Sequence, residues 1–141
     1  MCGLVGFSGR YNEADLVHAS AAIAHRGPDD RGHFFEEESQ IGLAHRRLSI
    51  QDVSNLGHQP MITARGNVIV YNGEVYNCKN LKRDLVDKGY QFNGASDTEV
   101  VLNLYEEYGL KMFGMLEGIF AMAIWDSGRD ELVVARDGLG V

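Results

Sequence analysis

Cysteine and proline are scarce, at two residues each in 141. The two cysteines, Cys2 and Cys78, lack the spacing of a metal or redox motif. A disulfide between them would sequester Cys2, and both are read as reduced thiols of a cytoplasmic protein. No apolar run is long enough to span a membrane. No charged region followed by an apolar stretch opens the chain, so no signal peptide is read there. The net charge is −7 and no basic cluster offsets it, which argues against a nucleic-acid surface. The five histidines show no His-Glu-x-x-His or related spacing, so no metal site is expected. Repeats and low-complexity segments are absent too. What remains is an ordinary globular composition, 45% hydrophobic and 23% charged, of a length suited to one domain with a real core.

Glycine, by contrast, is frequent at 17 residues, and many glycines flank apolar runs, a pattern of strands joined by tight turns. Residues 2–9 read as a buried strand that starts at Cys2. Residues 13–24 carry Leu16, Val17, Ala21 and Ile23 at helical spacing. Residues 32–37 and 40–47 read as a hairpin with a solvated acidic tip at Glu36-Glu37-Glu38-Ser39. A strand at 68–71 ends at Asn72-Gly73-Glu74. Asn77 is expected to cap a helix with Leu81, Leu85 and Val86 inward and Gly89 as its stop. Further helices are read at 98–108 and 110–116, and a final hairpin pairs 118–126 with 132–136. This order is not the alternation of a doubly wound parallel sheet. It predicts an antiparallel α+β sandwich.

Cys2 is the most informative position. Removal of Met1 would give one residue both a thiol and a free α-amine. A free thiol is mostly protonated near neutrality, with a pKa of about 8.5. An α-amine titrates at about 7.7–8.0, so it can take the thiol proton and return it to a leaving group. Activation of a nucleophile by an N-terminal amine is an established arrangement. A retained Met1 would disable it.

Five segments surround that cysteine in meaning: Met1-Cys2-Gly3-Leu4-Val5-Gly6, His25-Arg26-Gly27-Pro28-Asp29, Arg47-Leu48-Ser49-Ile50, Tyr71-Asn72-Gly73-Glu74-Val75-Tyr76-Asn77, and Ser96-Asp97-Thr98-Glu99. In this order they resemble the glutaminase domain of class II glutamine amidotransferases, in the N-terminal-nucleophile hydrolase superfamily. Pro28 and Arg47-Leu48-Ser49-Ile50 are similar to the glutamine-hydrolysing asparagine synthetase branch.

The resemblance implies a four-layer αββα sandwich, two antiparallel sheets between helices. It implies Cys2 as nucleophile, with the Asn72 side-chain amide and the Gly73 N–H as oxyanion donors. Arg47 would receive the α-carboxylate of L-glutamine and Asp97 its α-ammonium. Glu74 and the backbone of Ile50 and Gln51 would complete the pocket, with Gln51 standing where an aliphatic residue is more usual. Arg26 and Asp29 would brace the loop, and Cys78 would be incidental. Tyr105, Tyr108, Phe113 and Phe120 are expected in the core.

The ending Ala135-Arg136-Asp137-Gly138-Leu139-Gly140-Val141 resembles a stretch that runs on into an ATP-dependent synthetase domain. The chain (1–141) is therefore expected to be an N-terminal fragment of a longer synthetase. No cofactor is expected here, ATP and magnesium belonging to the missing domain, and a homodimer is left open. Competing readings are an amidotransferase with another acceptor, such as a sugar acid or amino sugar, and a glutamine-binding regulatory module without turnover.

Overall fold

A computed structural model describes residues 2–49 and 55–141. Among the described residues, seven strands and three α-helices follow in the order β1 (Gly3–Ser8), α1 (Glu13–Ala22), β2 (Asp30–Glu36), β3 (Ile41–Arg47), β4 (Met61–Ile62), β5 (Val68–Val75), α2 (Cys78–Asp87), α3 (Asp97–Tyr108), β6 (Gly118–Asp126) and β7 (Glu131–Arg136). All the strand pairings are antiparallel. One sheet has the order β1-β3-β2 and the other β4-β5-β6-β7.

The sheets face each other through β3 and β5, with α1 on the outer face of the first and α3 on that of the second. Ile41, Leu43, Val68, Val70 and Trp125 fill the space between the sheets. Ile69, Tyr71, Met122 and Ile124 turn the other way, onto Leu81, Leu85, Val101, Leu104 and Tyr105 of the helices. The period of two along β5 thus feeds both layers. Each fully buried aliphatic side chain contributes about 1.5–3 kcal/mol. The result is the αββα sandwich that the sequence leads one to expect.

Some local readings are corrected. The first helix ends at Ala22 and a 3₁₀ turn covers Ala24–Arg26. Leu16 is its buried anchor, while Val17 is exposed. Val86 is exposed as well, so α2 rests on Leu81 and Leu85. Asn77 occupies the cap position of α2 without capping it. Its side chain instead donates to the Met115 carbonyl at 2.8 Å and accepts from the Glu117 N–H at 3.2 Å. The expected helix at 110–116 is a 3₁₀ segment, Gly109–Met115.

The acidic tip is tied down rather than simply solvated. Trp125 Nε1 donates to Glu36 Oε2 at 2.9 Å, and Ser39 Oγ donates to Asp130 Oδ1 at 2.8 Å. These bonds fasten the β2–β3 hairpin of one sheet to the β6–β7 hairpin of the other. Among the described residues, no helix is long and apolar enough to cross a membrane.

Candidate active site

The strand that carries the site is longer than its sequence suggests. Asn72, Gly73 and Glu74 do not end β5 but lie inside it, paired with Ala121, Phe120 and Ile119 of β6. Gly73 has no positive φ and is not a turn residue. Glycine is needed there because a Cβ would collide with the Ile119 carbonyl and the Phe120 backbone.

Alternation along an antiparallel ladder sends successive N–H groups to opposite edges. The Tyr71 N–H leaves β6 and donates to Gln59 Oε1 at 2.6 Å. The Val75 N–H, on the same edge, donates to Asp97 Oδ2 at 3.1 Å. Gly73 lies between them, so its N–H turns to that edge too. Consistently, Phe120 spends both backbone groups on Asp137: its N–H donates to Oδ2 at 3.1 Å and its carbonyl accepts from the Asp137 N–H at 2.8 Å.

That edge opens on a cavity of about 200 Å³ lined by Cys2, Arg47, Asn72, Gly73, Glu74 and Asp97, with Leu48, Gly57, Gln59, Ser96 and Thr98 among its other walls. It is smaller than clefts for drug-sized ligands, which hold about 300–1,000 Å³. A ligand of amino-acid size suits it.

Cys2 precedes β1 and reaches across to β5. Its N–H donates to Asn72 Oδ1 at 2.9 Å. An N–H needs an oxygen acceptor, so this bond sets the orientation of the carboxamide and leaves Nδ2 as its free donor. Cys2 Sγ accepts from the Leu48 N–H at 3.4 Å and lies 3.8 Å from the Leu48 carbonyl oxygen. Both cysteines are free. Cys78 is half-buried, and burial pushes its thiol up to about 11.

Arg47 ends β3 and Asp97 begins α3; both carry ionisable side chains and both are buried. Ser96 caps the helix by accepting from the Thr98 N–H at 3.1 Å, which fixes the chain entering Asp97. Asp97 Oδ2 accepts from Tyr71 Oη at 3.2 Å as well as from the Val75 N–H. Burial raises its carboxyl above the ordinary carboxylate range, against the opposing pull of those two donors. A cation placed beside it would favour the charged form. Glu74 is exposed at the rim.

The His25–Asp29 segment does not line this cavity. Asp29 braces it: Asp29 N–H donates to the Arg47 carbonyl at 3.0 Å, and the Ser49 N–H donates to Asp29 Oδ2 at 2.8 Å. Gly27 packs on the backbone of Arg46 and Arg47, where a Cβ would clash. Arg26 instead lines a neighbouring, mostly apolar cavity behind Asn72 and Gly73. Ile50 and Gln51 lie outside the described residues. Sequence reasoning missed Gly57, Gln59 and Thr98. Gly57 and Gln59 belong to none of the five motif segments, and Thr98 stands in one of them without a role of its own.

A cysteine beside the first strand of an antiparallel two-sheet sandwich, with its sulfur at a pocket that also holds a buried arginine and aspartate, matches the fold expected of N-terminal-nucleophile hydrolases. Within that class, the chain belongs to the glutamine amidotransferase family: the model described as "glutamine amidotransferase domain" matches residues 1–141. Asparagine synthetase B [glutamine-hydrolyzing] of Escherichia coli is 40% identical over 147 residues, covering 100% of this chain and 26% of that protein. Amidase chry2 of Gibberella zeae is 45% identical over 120 residues, covering 84% of this chain and 18% of that protein. Among solved structures, the glutamine phosphoribosylpyrophosphate amidotransferase of Bacillus subtilis superposes with a TM-score of 0.83 at 20% identity, over 97% of this chain and 37% of that one. That likeness is one of fold. The chain spans about a quarter or less of the length of these curated relatives.

Proposed function

We propose that this chain is the glutaminase half of an asparagine synthetase-like enzyme, hydrolysing L-glutamine to glutamate and ammonia. The observation that carries the reading is Cys2. Its nitrogen is bonded to Asn72, and its sulfur lies at a cavity that also presents a buried arginine and a buried aspartate. An amino acid carries the two complementary charges. Arg47 receives the α-carboxylate through its planar fork and Asp97 the α-ammonium. Glu74 adds a second negative charge at the rim.

With Met1 removed, the Cys2 α-amine takes the thiol proton, and the thiolate attacks the side-chain amide carbon. The oxyanion forms against Asn72 Nδ2 and the Gly73 N–H. The carbon–nitrogen bond breaks as the α-ammonium returns its proton to departing ammonia. A γ-glutamyl thioester remains. Water, deprotonated by the same amine, then hydrolyses it to glutamate and the free thiol. A thiol nucleophile and an amine base suffice, so this half-reaction takes no cofactor. ATP and magnesium would serve a synthetase domain outside these residues, which would consume the ammonia in the cytoplasm.

A second acceptor class has its own support. That reading, an amidotransferase with an acceptor other than aspartate, draws on the 45% identity to a protein named an amidase rather than an asparagine synthetase.

The test is release of glutamate and ammonia from L-glutamine, after intact mass shows Met1 gone. Turnover that disappears in Cys2→Ala, with glutamine binding retained, is the expected result. Normal turnover by Cys2→Ala would sink the mechanism. Binding without any turnover by the parent sequence would favour a regulatory module.

A further inference from the structure

We propose that Gln59 is a positioning residue for the glutamine site, a single carboxamide that sets both the oxyanion strand and the carboxylate for the α-ammonium. The proposal rests on the glutaminase reading above.

The argument begins at the end of β4. Met61 and Ile62 pair with Ile69 and Val68. Carrying this register two residues further brings Gln59 opposite Tyr71. Pro60 has no N–H to give, and the ladder is continued by a side chain instead of the backbone. Gln59 Oε1 accepts from the Tyr71 N–H at 2.6 Å, and Gln59 Nε2 donates to the Tyr71 carbonyl at 3.2 Å. Its other Nε2 hydrogen goes to Thr98 Oγ1 at 3.2 Å. The side chain is buried, and both polar atoms are engaged within the protein. Gln59 lines the cavity but keeps no donor to offer a ligand.

Its partners explain what it does. Tyr71 immediately precedes Asn72, so a fixed Tyr71 peptide fixes the strand from which the carboxamide projects. The hydroxyl of the same tyrosine donates to Asp97 Oδ2. Thr98 immediately follows Asp97 in the first turn of α3. Gln59 therefore holds Asp97 from two directions, through the ring of Tyr71 and through the helix backbone. Three donor and acceptor valences of one side chain tie β5 to α3 beside the reacting centre. A leucine would fill similar space and supply none of them.

The experiment is steady-state kinetics of Gln59→Leu in the full chain with Met1 removed. Rates are normalised to the fraction of Cys2 that reacts with iodoacetamide in the folded protein. The expected result is a KM for L-glutamine raised at least tenfold, with kcat per reactive site also lowered. L-Glutamine should protect Cys2 from iodoacetamide in the parent and protect it far less in the variant. A KM within twofold of the parent, with any loss explained by fewer reactive sites, would overturn the proposal. If Gln59→Leu does not fold, Thr98→Val decides: it removes one of the three bonds and should raise KM by a smaller factor, and an unchanged KM counts against the idea. Failure of the glutaminase reading looks different, because the parent itself would then neither turn over L-glutamine nor be protected by it.

Discussion

The Arg47 guanidinium lies directly against the α-carbon of Gly57, so closely that a Cβ at position 57 would collide with it. Gly57 has no positive φ, and its backbone would accept alanine. The collision alone is therefore what Gly57→Ala introduces. We expect the arginine to be displaced and KM for L-glutamine to rise about 10–100-fold, the equivalent of about 1.5–3 kcal/mol for a hydrogen bond to a charged group. Steady-state kinetics with circular dichroism as a fold control checks this. An unchanged KM would mean that the guanidinium is not the carboxylate receptor.

Asn72→Ala removes the donor whose direction the Cys2 N–H sets. The loss should fall on kcat, by about 10²–10³-fold, with little change in KM. A large rise in KM with kcat preserved would assign Asn72 to ground-state binding instead.

His45 makes the stability of the fold depend on acid. It is buried in β3, its Nε2 donates to the Tyr71 carbonyl at 3.2 Å, and its Nδ1 is left without a partner among the described residues. Burial lowers its pKa to about 4, so the ring is neutral. The unfolded chain, with an ordinary histidine pKa of about 6.5, binds the proton first as pH falls. The contribution is therefore complete above about pH 6.5 and is lost as pH falls toward 4. At pH 4.5 the loss is on the order of 2–3 kcal/mol. Denaturant unfolding of the parent and His45→Gln at pH 7 and 4.5 should give a smaller pH dependence for the variant. Asp97, whose raised pKa acts with the opposite sign, is common to both and cancels.

Glu36→Ala should loosen the joint between the two sheets. It deletes the acceptor of Trp125 Nε1, and the expected loss of unfolding free energy is about 1–2 kcal/mol. Trp125 is the single tryptophan of the chain, so its emission reports the change directly. The KM for L-glutamine should not move. An unaltered emission spectrum would show that the bond does not persist in solution.

The sequence made the layers legible because their signals are local. The apolar run of 68–71 and the glycine after α2 each depend on near neighbours. The misses share the opposite property. Asn77 has the right type and position for a cap but is claimed by Met115 and Glu117, far along the chain. Asn72-Gly73 has the composition of a turn, yet it is extended because β6 runs beside it. Gln59 carries no periodic or catalytic signature, and only the register of β4 on β5 brings its side chain to Tyr71. The residues proposed to touch substrate were recognisable by type, whereas those that hold them in place were not.

An unfinished sheet edge ordinarily invites a foreign strand and with it aggregation. The edge of β5 beyond β4 is guarded without another strand: Gln59 occupies the Tyr71 position and Asp97 the Val75 position. Among the described residues, this leaves the Gly73 position of that edge facing the cavity. One open position is too short a run to template a strand. The site is thus a gap in a β-ladder, and the side chains that shape the gap occupy the positions where another strand would have to pair.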